Sequence, residues 1–461
     1  MPIFTGSLSK YPARVSLAWY VSVIAIGGTL LWQLPQCRQE GVPPISPVDA
    51  YFTATSATCV TGLSVRSTGN DFSFLGQLII LAMIQLGGIG IITITTLITF
   101  QIGARTGLRE RALVAETLGA ASERDLAWLL RHVVLWSLTM EFIGFLLLAW
   151  RNFENPNFEM FAALWHALFH SVSAFCNAGF GLFDDNLVPY QTDMLVNFTI
   201  AGLIIVGGIG YPVIFDLYRN LHSPWTLVWE RLHLHTKVML LGTAGLIVLG
   251  MLAILMLEWN GTLAGHSLDN KCLISFFQSV TCRTAGFNTV PIDALTSATL
   301  FIMILLMAIG AGPCSTAGGF KVSTFMTLVL RGWTTFRGYE RINVFRRTIP
   351  QELVSRATAT ALLFGVVAIL GLMMLLASEH ANVPHKDSGG SFIASLFEVI
   401  SALGTVGLST GITAALNDFS KCILIGLMFL GRLGPITVFL ALSLNERDQR
   451  VGYPHEEPLI G

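Results

Sequence analysis

Charge is what this sequence has least of. Only 12% of its 461 residues are Asp, Glu, Lys or Arg, against 53% hydrophobic residues and a mean hydropathy of +0.66. So few charges cannot cover a soluble domain, so most of the chain must face lipid or pack inside a bilayer. The formal net charge is −1 and no basic tail is present, which leaves a nucleic-acid partner without support. Cysteine offers no framework either. The seven residues Cys37, Cys59, Cys176, Cys272, Cys282, Cys314 and Cys422 form no CxxC, and most lie in apolar stretches. They read as small buried hydrophobes, with no disulfide or metal role. HExxH is absent, so metalloprotease chemistry lacks its motif.

What the chain has in quantity is long apolar runs. A spanning helix needs about 20 mostly apolar residues. Eight segments meet that, near 15–34, 75–100, 126–150, 193–217, 237–257, 295–312, 357–377 and 420–444. The first follows Lys10 and Arg14; it is too long for a signal-peptide core and lacks a cleavage site, so it reads as a transmembrane helix. Inside each pair of segments lies a shorter semi-apolar stretch, read as a re-entrant half-helix with an extended return. Basic residues favour cytosolic loops. They gather between pairs, at Arg105, Arg109 and Arg111, at Arg219, Arg231 and Lys237, and at Arg331, Arg337, Arg341, Arg346 and Arg347. They also sit near the ends, at Lys10, Arg14, Arg447 and Arg450, while the loops within pairs have few, such as Arg38, Arg151, Lys271 and Lys386. Both termini are therefore expected in the cytosol.

The pairs repeat. Four strings align on a glycine: Val60-Thr61-Gly62-Leu63-Ser64, Asn177-Ala178-Gly179-Phe180-Gly181, Thr284-Ala285-Gly286-Phe287-Asn288 and Thr405-Val406-Gly407-Leu408-Ser409. Ten residues before each glycine stands Phe52, Phe169, Phe276 or Phe397, and small pairs such as Ser56-Ala57, Ser173-Ala174 and Ser401-Ala402 recur. The second segment of each pair carries Gly87-Gly88-Ile89-Gly90, Gly207-Gly208-Ile209-Gly210, Gly310-Ala311-Gly312 or Gly431-Arg432-Leu433-Gly434. The expected fold is an all-α polytopic membrane protein: four helix, pore loop, helix repeats about a pseudo-fourfold central pore. The repeats cover 1–103, 104–222, 223–347 and 348–461, with pore loops near 48–66, 162–183, 271–290 and 391–411.

Glycine is common in membrane helices because it allows close packing. That reading suits Gly87, Gly207 and Gly431. Gly62, Gly179, Gly286 and Gly407 differ, because there the backbone must leave a helix at membrane depth. Irregular backbone is tolerated there only where it is buried or lines a water-filled cavity. Four such strands around one axis would point carbonyls along a line, and carbonyl rings can replace the hydration shell of a potassium ion.

These strings resemble the Trk/Ktr/HKT superfamily of potassium transporters over nearly the whole chain. In that family a serine at the first filter glycine goes with sodium permeability, so Gly62 implies potassium. The resemblance implies a filter of Val60, Thr61, Gly62 and Leu63 with their three sister sets. The string Gly310-Ala311-Gly312-Pro313-Cys314-Ser315-Thr316-Ala317-Gly318-Gly319-Phe320-Lys321 looks like the family's intramembrane gating loop, and Arg432 matches the arginine that faces the pore beneath the filter. Gly431-Arg432-Leu433-Gly434-Pro435, and the lack of an extra N-terminal hairpin, look closer to the KtrB branch than to TrkH. Such proteins are similar in being homodimers in the bacterial inner membrane on a separate cytosolic RCK ring. The nucleotide is expected on that partner and no cofactor in this chain. Dependence on sodium stays open.

Ionisable residues inside spans are functional candidates by default. Arg432 leads, either as a cationic barrier or as a hydrogen-bond donor to loop carbonyls. Lys321 reads equally as a gate residue that follows the loop and as a side chain that snorkels to the cytosolic surface. Glu398 reads as a hydrogen-bond partner of nearby backbone ahead of a cation attractor, and Arg283 as a brace behind the filter; Glu141 has no partner visible in sequence. Two motif matches fail. Gly407-Leu408-Ser409-Thr410-Gly411 fits GxSxG, yet a pore-helix pattern precedes it in place of a strand, and its sister strings lack the spacing. The 312–321 stretch hints at a P-loop, but Phe320 parts Gly319 from Lys321. The remaining rival is a secondary transporter with broken helices, which usually has two inverted repeats.

Overall fold

The computed structural model describes residues 12–105, 123–154, 159–221, 224–379, 384 and 389–434. Lys10, Arg109, Arg111, Lys386, Pro435, Arg447 and Arg450, and the end of the 420–444 segment, lie outside them. Repeat one comprises α1 (Pro12–Gln33), α2 (Pro47–Thr58) and α3 (Phe74–Arg105). Repeat two comprises α4 (Glu123–Phe153), α5 (Met160–Phe175), α6 (Met194–Ile209) and α7 (Tyr211–Asn220). Repeat three follows as α8 (Trp225–Arg231), α9 (Leu234–Leu257), α10 (Leu268–Thr281), α11 (Ser297–Ala308) and α12 (Val322–Phe336). After a hairpin of β1 (Ile342–Val344) and β2 (Arg347–Ile349), repeat four has α13 (Gln351–Glu379), α14 (Ser391–Gly404) and α15 (Asp418–Leu433). The hairpin is the one departure from an all-helical chain among the described residues; Phe345 and Arg346 turn it with φ of 51° and 60°.

The first helix of every repeat is a full span. Among the described residues, α1, α4, α9 and α13 are long and apolar enough to cross a membrane. Their outer faces expose large apolar side chains such as Phe142, Leu249 and Leu362, as contact with lipid requires. The second helices depart from the expected uniform spans, and the reason lies at one aligned position, three residues after Gly87, Gly207, Gly310 and Gly431. In repeat one that residue is Gly90 and α3 runs through it. In repeat two it is Gly210, with φ +96°, followed by Pro212, and α6 and α7 meet at 96°. In repeat three it is Pro313, inside the segment between α11 and α12. In repeat four it is Gly434, with φ +81°, and α15 stops there. A glycine permits positive φ and a proline cannot continue a helix, so one site yields four outcomes.

The short helices α2, α5, α10 and α14 enter the bundle and end just before the four glycine strings. Phe52, Phe169 and Phe397 are fully buried beneath them. Repeat three deviates from the expected spacing: Phe276 is only half-buried, and its neighbour Phe277 fills the core position. The second helices pack onto these short helices through glycine. A Cβ on Gly87, Gly207 or Gly431 would lie 1.9, 2.0 or 2.0 Å from the carbonyl oxygen of Thr58, Phe175 or Leu403. Repeat three breaks this rule as well, because a Cβ on Gly310 would instead meet Gly318 O at 2.4 Å. All the cysteines are free; Cys37, Cys59, Cys176 and Cys282 are buried, whereas Cys272 and Cys314 are half-buried and Cys422 is exposed, so the buried reading holds for four of them.

Gly431→Ala is therefore expected to lower stability by about 1–3 kcal/mol, the usual cost of overpacking. Gly426→Ala on the same helix meets nothing within 4 Å, and should be neutral or mildly stabilising through helix propensity. Thermal unfolding of both variants in detergent checks the contrast.

Candidate functional site

The four glycine strings share a backbone conformation. Two residues before each glycine stand Val60, Asn177, Thr284 and Thr405, with φ of 54°, 59°, 65° and 50°. The glycines follow with φ of 99°, 69°, 78° and 92°. Left-handed backbone costs an L-residue about 1–2 kcal/mol, and for β-branched Val60, Thr284 and Thr405 it is a marked outlier. Hydrogen bonds to the preceding short helix hold the strain. Thr61, Ala178 and Val406 donate their N–H to the carbonyls of Ser56, Ser173 and Ser401 at 2.7–2.8 Å. The Ser56 and Ser401 hydroxyls accept from Gly62 and Gly407 N–H at 3.1 Å each.

The strands close into a ring. A Cβ on Gly62 would stand 2.5 Å from Ala178 O, one on Gly179 2.7 Å from Ala285 O, one on Gly286 2.6 Å from Val406 O, and one on Gly407 2.0 Å from Thr61 O. Each glycine thus lies against the carbonyl before the next repeat's glycine, and the fourth returns to the first. Chain order is angular order, so repeats two and four are opposite each other. The following residues, Leu63, Phe180, Phe287 and Leu408, are buried in the packing behind the ring. The carbonyls of Phe180 and Phe287 accept from Ser173 Oγ (2.8 Å) and Thr281 Oγ1 (2.5 Å), so these two oxygens turn back toward the short helices. Beyond the ring lies a polar cavity of about 310 Å³ bounded by all four glycines. At its rim Asp184 accepts from Ser67 and Asn70, tying the loops of repeats one and two. Arg66 is drawn to Asp49 (3.3 Å), which also pairs with Lys421 (2.8 Å).

On the other side of the ring lies the 310–321 segment. Gly310 N–H donates to Phe320 O (2.7 Å) and Val322 N–H to Ala311 O (3.1 Å), so its ends are pinned together. Gly312 and Thr316 donate N–H to Gly208 O (2.8 Å) and Gly207 O (3.2 Å), and Thr316 Oγ1 donates to Phe175 O (3.1 Å). Ser315 Oγ donates to Gly312 O (2.6 Å). Cys314 O, next to Pro313, accepts from Tyr211 N–H (3.1 Å) at the α6–α7 break. A Cβ on Gly318 would lie 2.1 Å from Thr405 Oγ1, and one on Gly319 3.0 Å from Gly404 O. The segment therefore touches repeat two and repeat four, which are opposite, and so crosses the axis.

Arg432 ties this segment to two further elements. Its Nη1 donates to Thr316 O, Nη2 to Gly87 O (2.8 Å) and Nε to Tyr20 Oη (3.3 Å). Tyr20 Oη itself donates to Gly87 O (3.0 Å). Lys321 Nζ folds back to Ala317 O (2.7 Å) and Gly318 O (3.2 Å), where snorkelling was one of two readings. Arg283 Nη2 donates to Gly310 O (3.2 Å). Glu141 accepts from Gln85 Nε2 (2.9 and 3.1 Å) and from Cys176 Sγ (3.9 Å), partners the sequence did not reveal. Glu398 accepts from Ser409 Oγ (2.6 Å), Thr413 Oγ1 (2.8 Å) and Thr410 N–H (3.1 Å), so Ser409 of the GxSxG match braces a strand. Sequence reasoning missed Tyr20, an aromatic in the first span with no motif around it. It also missed the Asp49–Lys421 pair, which joins residues 372 positions apart.

The comparisons with known proteins agree with this architecture. The model of the TrkH family, described as cation transport protein, matches residues 21–453. The Ktr system potassium uptake protein B of Vibrio alginolyticus is 38% identical, over 97% of this chain and 94% of its own. The protein of the same name from Bacillus subtilis (strain 168) is 37% identical, over 98% and 96%. The crystal structure of the potassium transporter TrkH from Vibrio parahaemolyticus superposes with a TM-score of 0.72 at 19% identity, over 96% of this chain and 86% of that one, and so shares the fold. These relatives are transporters, not enzymes, and the chain belongs to the TrkH family of cation transport proteins.

Proposed function

We propose that this chain is the ion-conducting membrane subunit of a potassium uptake system, with the four glycine strands as its selectivity filter. The observation that carries the reading is the closed ring of glycine against carbonyl, running through all four repeats in order. Ordered carbonyls around one axis supply the oxygen ligands that replace water around potassium. Three buried hydroxyls of the same strands, on Thr61, Thr284 and Thr405, have no hydrogen-bond partner among the described residues and add further oxygen donors. The C-termini of α2, α5, α10 and α14 converge on the strands, and helix C-termini carry partial negative charge that favours a cation. The names of the relatives in Vibrio alginolyticus and Bacillus subtilis support potassium as the ion.

The 310–321 segment acts as the gate, because it crosses beneath the ring between opposite repeats and Arg432 holds it there. A cytosolic RCK-type regulator binding nucleotide, a homodimer with one pore per protomer, and placement in a bacterial inner membrane with cytosolic termini complete the proposal. They are supported by the family and by the basic loops between repeats. The broken α6–α7 helix would also suit a secondary transporter, but four repeats in ring order favour a pore.

Gly62→Ser places a side chain where a Cβ would be 2.5 Å from Ala178 O, at φ +99°, so the ring must shift. The K+/Na+ flux ratio in proteoliposomes is expected to fall by about tenfold, the size of one lost 1.4 kcal/mol discrimination. An unchanged ratio would count against the filter. Deleting 313–320 is expected to raise potassium flux several-fold in folded protein; normal or lower flux would sink the gate.

A further inference from the structure

We propose that His170 and Glu398 are equivalent positioning residues, which hold the strands of repeats two and four from opposite sides of the axis and so set ion specificity. The proposal rests on reading those strands as a filter. His170 stands nine residues before Gly179 on α5, and Glu398 nine residues before Gly407 on α14. Both are buried, at 4% and 0% exposure. Each accepts the backbone N–H of the residue three places after its glycine. Leu182 N–H donates to His170 Nε2 at 3.4 Å, and Thr410 N–H to Glu398 Oε1 at 3.1 Å. Two chemically different side chains thus make one bond between the same two positions of the repeat.

The rest of each contact fits an acceptor role. His170 Nδ1 lies 2.8 Å from His166 O. A carbonyl can only accept, so the proton sits on Nδ1 and Nε2 keeps its lone pair. Both Glu398 oxygens are engaged solely by donors, including Ser409 Oγ and Thr413 Oγ1. Repeats one and three lack the bond. At the first position they have Thr53, whose hydroxyl donates to Asp49 O (2.9 Å), and Phe277, which has no acceptor. In repeat three Gln278 Nε2 reaches Thr289 Oγ1 (3.2 Å), side chain to side chain, leaving the Thr289 N–H out of the contact.

The strands have left-handed backbone at two of every three residues up to the glycine, a conformation that persists only where surroundings over-determine it. An acceptor fixed behind the outgoing chain supplies that restraint and fixes the carbonyl spacing on which selection depends. Because repeats two and four are opposite, the restraint is twofold, although the ring is fourfold. The charge-assisted Glu398 bond is the stronger of the two, and the longer His170 bond the weaker.

The test measures potassium, rubidium and sodium flux through the full chain in proteoliposomes, with wild type and Gly62→Ser as references. Glu398→Leu should lower the K+/Na+ ratio by about tenfold, equivalent to about 1.4 kcal/mol of lost discrimination. His170→Phe should lower it less. Glu398→Gln, whose amide oxygen still accepts from Thr410 N–H, should recover most of the ratio, which a role in packing alone would not require. If wild type shows no potassium preference, the filter reading itself fails. If wild type is selective and Gly62→Ser lowers the ratio while Glu398→Leu keeps it, the positioning role alone is overturned. Should Glu398→Leu not fold, hydrogen–deuterium exchange of wild type decides. Amides at Leu182 and Thr410 should exchange at least about tenfold more slowly than those at Val65 and Thr289; equal rates overturn the proposal.

Discussion

The structure depends on the approach of one backbone to another without a side chain between them. Four carbonyl oxygens come so near four glycine Cα atoms that a Cβ would lie 2.0–2.7 Å away. A Cβ does not approach an oxygen so closely, so any other residue at these four places would force the ring to shift. The same glycines sit at positive φ, and each is preceded two residues earlier by a non-glycine residue that does too. Four such residues at about 1–2 kcal/mol each make a strained assembly. Backbone bonds to Ser56, Ser173 and Ser401, and the buried phenylalanines beneath, offset it. The short helices are therefore less a lining than a support for conformations the strands would not keep alone.

Around this common ring the repeats diverge, and the divergence is concentrated in the second helices. One aligned position gives a continuous helix, a 96° bend, a twelve-residue segment or a helix end. The bend in repeat two and the segment in repeat three are one feature, since Gly207, Gly208 and Tyr211 at the bend bind Thr316, Gly312 and Cys314. A helix that ran straight through Gly210 would occupy the space where the segment docks: a Cβ on Gly210 would already be 2.4 Å from Pro313 O. Breaking symmetry in one repeat thus requires a break in its neighbour.

Much of this was legible from residue order. The ring glycines, the 310–321 segment and Arg432 all stand out because the same spacing recurs, or conspicuously fails to recur, in four units. The left-handed residues before the glycines did not stand out, because Val60, Asn177, Thr284 and Thr405 are not types that favour positive φ as a set, three of them being β-branched; only the backbone makes all four alike. The bend at Gly210 carried a signal, a glycine with a proline two places on, but the hydropathy of 193–217 hid it. Phe276 matched the spacing of its sisters and still lost its place to Phe277, since a helix may rotate by one residue without changing its count. Glu141 and Tyr20 found partners 56 and 412 residues away, and no local pattern encodes contacts of that range.

Arg432 shows what such long-range contacts accomplish. A cation inside a bilayer is costly unless its donors are satisfied. Here it is satisfied by two carbonyls and a phenol, and among the described residues no carboxylate lies within ion-pair distance of it. Its positive charge is therefore solvated by dipoles and not cancelled. One of those dipoles, Thr316 O, belongs to the segment that crosses the axis, and the other two belong to repeat one. Moving the segment aside strips a buried cation of one acceptor, at a cost of about 1.5–3 kcal/mol. That is enough to favour the docked arrangement of the segment over an undocked one by roughly ten- to a hundredfold. A carboxylate partner would have bound the arginine more tightly and cancelled its charge; neutral acceptors leave the same residue both a tie between three elements and a cation.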